Sequence, residues 1–254
     1  AEDYLRILRF FRFHARYGRQ AIDPETAEAL RAGTHGLGIL SVQRVWQELR
    51  RLLAVPNPSD AIVAMEELGV LAATIPEGAS AARLRAFIEA GAPEDPILRL
   101  AALATGDVEA LAFRLKLSKA ERTRLWAARG PIGVTPTSDD TAIRRELVDT
   151  PPDVLIDRAW LAGGANPDWA ALRARIAAIP RPVFPLFGRD VVALGVPKSS
   201  AVGDLLAAVR DRWFERGCID PPEECRAELE RLVAETAVWS VTQSNVNGER
   251  SMPI

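Results

Sequence analysis

The chain has 254 residues, 48% hydrophobic and 26% charged, with a formal net charge of −2. That is ordinary globular composition with enough length for a sizeable core in two or three parts, and its charge balance excludes a uniformly basic nucleic-acid binder. No apolar run approaches the roughly 18 residues that span a bilayer and no signal peptide opens the sequence, so a cytoplasmic location without membrane partners is expected. Cys218 and Cys225 stand seven apart with no histidine near them, which is not zinc spacing. The two histidines, His14 and His35, have no His-Asp pair beside them, so no metal-binding residue is predicted.

Residues 1–18 read AEDYLRILRFFRFHARYG. At about 100° per residue, Tyr4, Ile7, Leu8, Phe11 and Ala15 share one helical face, and Arg9, Arg12 and Arg16 point the other way. Glu2, Asp3 and Arg6 line one edge, with Phe10 and Phe13 beside them. Asp3 and Arg6 are three apart and therefore neighbours on the helix surface. A carboxylate only accepts hydrogen bonds and a guanidinium only donates them. Side by side they complement an edge that offers an amino donor next to a ring-nitrogen acceptor. The Watson–Crick edges of cytosine and adenine have that order; guanine and uracil have the reverse. A site that hydrogen-bonds a base rejects the wrong one because buried polar groups are left unpaired. The competing reading of the same spacing is a solvated ion pair.

Further along, Asp23-Pro24 is a helix start, with Asp as N-cap and Pro in the first turn, and the helix stops at Gly33. Gly36-Leu37-Gly38 reads as a turn, Ser41 as the cap of a helix to Ala54, and Pro56-Asn57-Pro58 as a break. Ser59 to Leu68 is the next helix, closed by Gly69.

Glu2-Asp3-x-x-Arg6-x-x-Arg9, continuing into Phe10-Phe11-Arg12-Phe13 and Tyr17-Gly18, resembles the nucleotide-recognition motif of bacterial tRNA nucleotidyltransferases (CCA-adding enzymes) and the related poly(A) polymerases. The run from Ser41 through Arg44, Glu48 and Leu49 to Leu53 is similar to the family's S-x-E-R-I-x-x-E-L-x-K-L-L helix, with Gln43 where the family has glutamate. The resemblance implies that Asp3 and Arg6 read the incoming base. Glu2 and Arg9 would then lie on its phosphate side, with Arg44 and Glu48 bracing the helix from the next layer. It also implies Mg²⁺, with CTP and ATP as substrates and the 3′ end of tRNA or another RNA as partner.

Between Pro76 and Pro180 the apolar period stays helical, over 82–90, 96–104, 108–115, 119–128, 142–149, 154–161 and 169–178, and Trp126, Trp160 and Trp169 read as core. Pro182 to Phe187 looks extended, but the prolines around it argue for irregular structure. Residues 186–206 resemble the family's tail segment, G-x-D-L-x-x-L-G-x-x-P-G-P-x-I-G-x-x-L, with Ser199-Ser200 in place of its Gly-Pro. Free N–H groups at a helix start near Ser199, with Lys198 and Ser200 beside them, suit an RNA phosphate; a plain capped turn is the competing reading. Residues 1–20 hold five arginines against two acids, whereas 220–235 hold six acids against two arginines. A local basic edge on a near-neutral chain suits a polyanion that is bound and released.

The expected fold is all-α: a neck over 1–76, a helical body over 77–185, a helical tail over 186–239, and 240–254 without regular structure. Nothing resembles the family's catalytic head, which needs a Gly-Ser turn followed by Asp-x-Asp on a strand. Asp139-Asp140 reads as a helix start, and the sequence, opening inside a motif without Met, is expected to be a piece of something longer, inactive by itself. The function implied is the RNA- and nucleotide-recognising portion of an enzyme that adds C and A to tRNA 3′ ends. The alternatives are poly(A) synthesis, an RNA-binding module whose arginines contact phosphates only, and a helical scaffold with no RNA.

Overall fold

A computed structural model describes the backbone of residues 2–18 and 20–248, and the side chains of 4–18 and 20–235. The described residues form fifteen α-helices and one 3₁₀ helix, with no strand. The first half contains α1 (Glu2–Tyr17), α2 (Pro24–Gly33), the 3₁₀ helix (Thr34–Ile39), α3 (Val42–Leu53), α4 (Ser59–Glu67), α5 (Val70–Thr74), α6 (Ala81–Glu89), α7 (Pro96–Leu103) and α8 (Val108–Arg114). The second contains α9 (Lys119–Arg129), α10 (Asp140–Asp149), α11 (Pro152–Gly163), α12 (Pro167–Ala178), α13 (Gly188–Ala193), α14 (Ser200–Glu215) and α15 (Pro222–Gly248).

Helix starts follow local chemistry. Asp23, Asp95, Asp107 and Asp139 each accept from backbone N–H groups of the turn they open, and Pro24 and Pro96 fill first-turn positions that need no donor. Ser118 and Glu121 form a reciprocal capping box at α9. Ser41 departs from expectation: its hydroxyl donates to Gln43 Oε1 at 2.9 Å, and no side-chain cap forms at α3. The turn expected at Gly36 is part of the 3₁₀ helix, and α5 is not legible in the sequence because five residues carry no measurable period. The last helix extends to Gly248, beyond the end expected near Trp239, because no proline or closing turn interrupts it there; residues 249–254 lie outside the described residues.

Packing divides the chain into two compact units, 1–136 with 152–178, and 137–151 with 179–254; residues 1–76 fall in the first and 186–239 in the second. In the first unit one continuous core runs from Leu5 to Ala128, with α1 laid on α3 and α4, and α7 against α3, α6 and α9. Trp126 is 43% exposed, which corrects its assignment to the core; Trp160 is half-buried beneath the Arg173 guanidinium, 3.4 Å from its ring centroid. The second unit has its own core of Leu186, Val191, Val209, Trp213 and Leu229, around which α13, α14 and α15 pack.

Only three of the 32 basic residues are lysine. Among the described residues the arginines share a recurring structural role, in which five of them donate to carbonyls at or just past the end of a helix to which they do not belong. Arg99 reaches Leu53 and Pro56 at the end of α3, at 2.7 and 2.8 Å. Arg114 reaches Thr74 on α5, and Arg158 reaches Ala127 on α9. In the second unit Arg181 reaches Leu147 and Val148 on α10, and Arg145 reaches Phe214 on α14. A helix C-terminus leaves carbonyls unpaired and carries partial negative charge. A guanidinium presents several donors in one plane and can serve two of those carbonyls together, which an ammonium matches poorly.

This packing can be probed at two buried groups. Arg99 is 1% exposed and also donates to Val55 O; Arg99→Ala, which orphans buried carbonyls, should cost about 3 kcal/mol, read as a lowered urea midpoint. Asp157, buried between α9 and α11 and 3.1 Å from Arg124, is pushed by burial from 3.8 up to about 6, with Arg124 pulling the other way. A carboxyl with a raised folded-state value favours folding while protonated and loses that contribution as pH rises through the interval. Wild type should therefore lose thermal stability relative to Asp157→Asn between about pH 4 and about pH 7.

Candidate functional site

The basic edge of α1 is built over α3. The buried stripe of α3 is Val45, Trp46, Glu48, Leu49, Leu52 and Leu53, so Glu48 occupies an apolar position and is only 4% exposed. Three guanidinium groups converge on it. Arg9 Nε is 3.6 Å from Glu48 Oε1, Arg12 Nε is 3.0 Å from Oε2, and Arg51 Nη1 is 3.3 Å from Oε1. Arg51 makes an aligned hydrogen bond, whereas Arg12 Nε and Glu48 Oε2 are close without alignment and are otherwise unpartnered. The contact between those two is therefore chiefly coulombic.

The helical wheel directs Arg9 and Arg12 to solvent, away from the core. Arg12 is instead one-quarter exposed and Arg9 less than half, because Glu48 draws both against α3. The sequence signal for this partnership is a carboxylate inside a heptad-like apolar stripe, four residues after Arg44. Arg44 itself is half-buried on α3, one turn before Glu48. Arg6 is exposed on α1, one turn before Arg9. The side chains of Glu2 and Asp3 lie outside the described residues; their backbone belongs to the first turn of α1.

That first turn is tied down beside them. The Tyr4 ring packs edge-on to His35, with centroids 5.6 Å apart. His35 Nδ1 lies 2.7 Å from Ala32 O and so carries the proton, which leaves Nε2 to accept weakly from the Tyr4 hydroxyl at 3.5 Å. Gly36 is required under this ring: a Cβ there would sit 2.2 Å from Tyr4 Cδ1. The core side of α1 (Leu5, Ile7, Leu8 and Phe11, all buried) completes the anchorage.

At the other end of α1 a cavity of about 800 Å³ is lined by Arg12, Phe13, Arg16, Tyr17, Arg51 and Asn57 among others. Sequence reasoning places Phe13 on the basic edge but does not find this groove, because Arg51 and Asn57 reach it only through the packing of α1 on α3. In the second unit Lys198 and Ser199 line an open cavity of about 720 Å³ with Arg189 and Val202. Ser199 is the N-cap of α14 but makes no side-chain cap; its hydroxyl donates to Pro197 O at 3.3 Å. Ser200 is the first residue of the helix and, like Lys198, is exposed. Among the described residues no group of three or more His, Cys, Asp or Glu side chains is placed to hold a metal, and no helix is long and apolar enough to cross a membrane.

Residues 21–82 match the family described as the probable RNA- and SrmB-binding site of polymerase A. Over 228 residues, 84% of this chain, the sequence is 30% identical to the mitochondrial CCA tRNA nucleotidyltransferase 1 of Danio rerio. It is 29% identical to that of Homo sapiens over 85% of this chain. A 78-residue stretch, 30% of this chain, is 42% identical to the Multifunctional CCA protein of Burkholderia mallei and covers 19% of that protein. The chain spans about half the length of the vertebrate relatives, 52% in each case.

The Glu48 arrangement has a measurable consequence. The three guanidinium groups keep access to water while Glu48 does not, so Glu48→Ala, which removes the ion pairs together with a buried side chain's packing, should cost about 1 to 2 kcal/mol. Arg51→Ala, at a 59% exposed partner, should cost under about 1 kcal/mol. Both are read as urea midpoints.

Proposed function

We propose that this chain, which is similar to CCA tRNA nucleotidyltransferases over most of its length and to the polymerase A family over 21–82, is the RNA- and nucleotide-recognising part of an enzyme that adds C and A nucleotides to tRNA 3′ ends. The observation that carries the reading is the row of arginines on α1 clamped by a buried carboxylate. Arg9 and Arg12 are held at Glu48, one turn and two turns beyond Arg6, so the helix presents its basic edge in a fixed orientation. Asp3 and Arg6 are read as the pair that accepts from the amino group and donates to the ring nitrogen of cytosine or adenine. Glu2 and Arg9 would lie toward the nucleotide's phosphates, while Arg44 and Glu48 keep the helix from rotating.

Lys198, Ser199 and Ser200 are read as a phosphate contact for the body of the RNA, supported by the N–H groups that no side chain caps at the start of α14. The Mg²⁺ implied by the family does not fit the described residues, which offer no carboxylate cluster for it, and no step through the ion is assigned to them. Nucleotidyl transfer is accordingly read as the work of a catalytic head outside this sequence, with CTP and ATP as its substrates and this chain inactive alone. Poly(A) addition is the second reading, favoured by the polymerase A description of the family that matches 21–82.

In the complete enzyme, Asp3→Ala or Arg6→Ala should relax the choice among the four triphosphates when tRNA lacking its CCA is extended. Sequencing the products checks this, and unchanged choice would overturn the base-reading role. The same products, C-C-A against a run of A, separate the two readings. RNA affinity of the chain alone should fall steeply with salt, with a log–log slope near the number of phosphates contacted; a helical scaffold would show no such slope.

A further inference from the structure

The strongest feature outside the base-reading edge is the groove at the C-terminal end of α1. Phe13 and Tyr17 are 52% and 65% exposed, although burying an aromatic side chain is among the larger gains available to a fold. They lie one turn apart with ring centroids 6.2 Å apart and planes 21° from parallel. Arg12 stands 4.6 Å from the Phe13 centroid and Arg16 5.5 Å from that of Tyr17, so arginine and aromatic alternate along two turns. Arg51 and Asn57 also line the cavity, and among the described residues no carboxylate does. The Asn57 side-chain oxygen accepts from Ser59 N at 3.0 Å, which leaves its amino group to donate outward. The partial negative charge at the end of α1, about half an electron, and the buried Glu48 are outweighed by three guanidinium charges.

Aromatic faces flanked by arginines in a groove of positive sign hold unpaired nucleotides, because every base has a face that stacks and every nucleotide has a phosphate. A protein partner would favour a broader apolar patch with a mixed polar rim, whereas the described lining here sets two rings, three arginines and one amide around the small apolar floor of Ala15, Ala54, Val55 and Pro56. We propose that this groove is a stacking site for an unpaired nucleotide of single-stranded RNA. Phe13 and Tyr17 receive the base, and Arg16 and Arg51 receive the adjoining phosphates. It lies seven residues, about 10 Å along the axis, beyond Arg6, so the base it holds is not the one that Arg6 reads. The proposal rests on the reading of this chain as an RNA-holding protein and names a second place on α1 where RNA sits.

The test uses the full chain and a single-stranded oligoribonucleotide carrying 2-aminopurine, whose fluorescence is quenched on stacking. Wild type should bind and change the quenching. The double variant Phe13→Leu, Tyr17→Leu, which keeps apolar volume but removes both rings, should bind roughly tenfold more weakly and lose that change while its salt slope stays the same. Tyr17→Phe, which keeps the ring, should behave as wild type, and Arg16→Ala should reduce the salt slope by about one. Unchanged affinity and quenching in a double variant that retains its circular dichroism would overturn the stacking site and leave the RNA reading intact. If the double variant does not fold, Tyr17→Leu alone decides by the same two readouts. A wild-type chain that ignores the RNA, or that prefers an acidic peptide to it, overturns both.

Discussion

A carboxylate buried in the apolar stripe of a helix is an awkward thing for a protein to keep. Removing Glu48 from water costs several kcal/mol, of which its ion pairs return a variable part, and a leucine at that position would pack as well. What leucine could not do is control where the arginines of α1 go. Arg9 and Arg12 come from one helix, Arg51 from the other, and their meeting at Glu48 fixes the rotation of α1 about its own axis as well as its position on α3. Apolar contacts through Leu5, Leu8 and Phe11 set the distance between the helices, but they tolerate sliding and rotation better than a charge cluster does. Everything on the exposed edge of α1 inherits that fixed azimuth.

The same use of arginine runs through both units. Short helices expose many unpaired carbonyls for their length, and the fifteen α-helices of the described residues have many such ends. Supplying donors from neighbouring helices, as Arg99 and Arg145 do, satisfies the carbonyls and joins elements far apart in sequence with one side chain. At these positions arginine suits better than lysine, since a planar fork serves adjacent carbonyls that an ammonium would serve one at a time. It also means that much of the positive charge counted in the sequence is engaged inside the fold, which leaves net charge a poor guide to what the surface binds.

On α1 the two uses of arginine meet. Arg12 is both a partner of Glu48 and a lid over the Phe13 ring, and Arg51 is both a partner of Glu48 and a wall of the neighbouring groove. The buried carboxylate therefore organises two surfaces, the edge that carries Arg6 and the aromatic groove two turns further on. A polyanion laid along this helix would meet a row of charges whose spacing is set from beneath rather than by flexible side chains alone, and such preorganisation lowers the entropy lost on binding.

Most helix positions and the start of α2 were legible in the sequence because they depend on residues a few places apart. Asp23-Pro24 and the apolar face of α1 are local facts, and the motifs around Arg6 and Glu48 carried the family resemblance. The tertiary structure decided what depends on residues far apart: that Arg12 turns inward to Glu48, that Trp126 lies at the surface, and that Arg99 closes the end of α3 from 43 to 46 positions away. It also made the groove, since Phe13 and Arg51 become neighbours only when α1 lies on α3. A helical period says which way a side chain points from its own axis; only the packing of a second helix, with its own buried charge, says what it will find there.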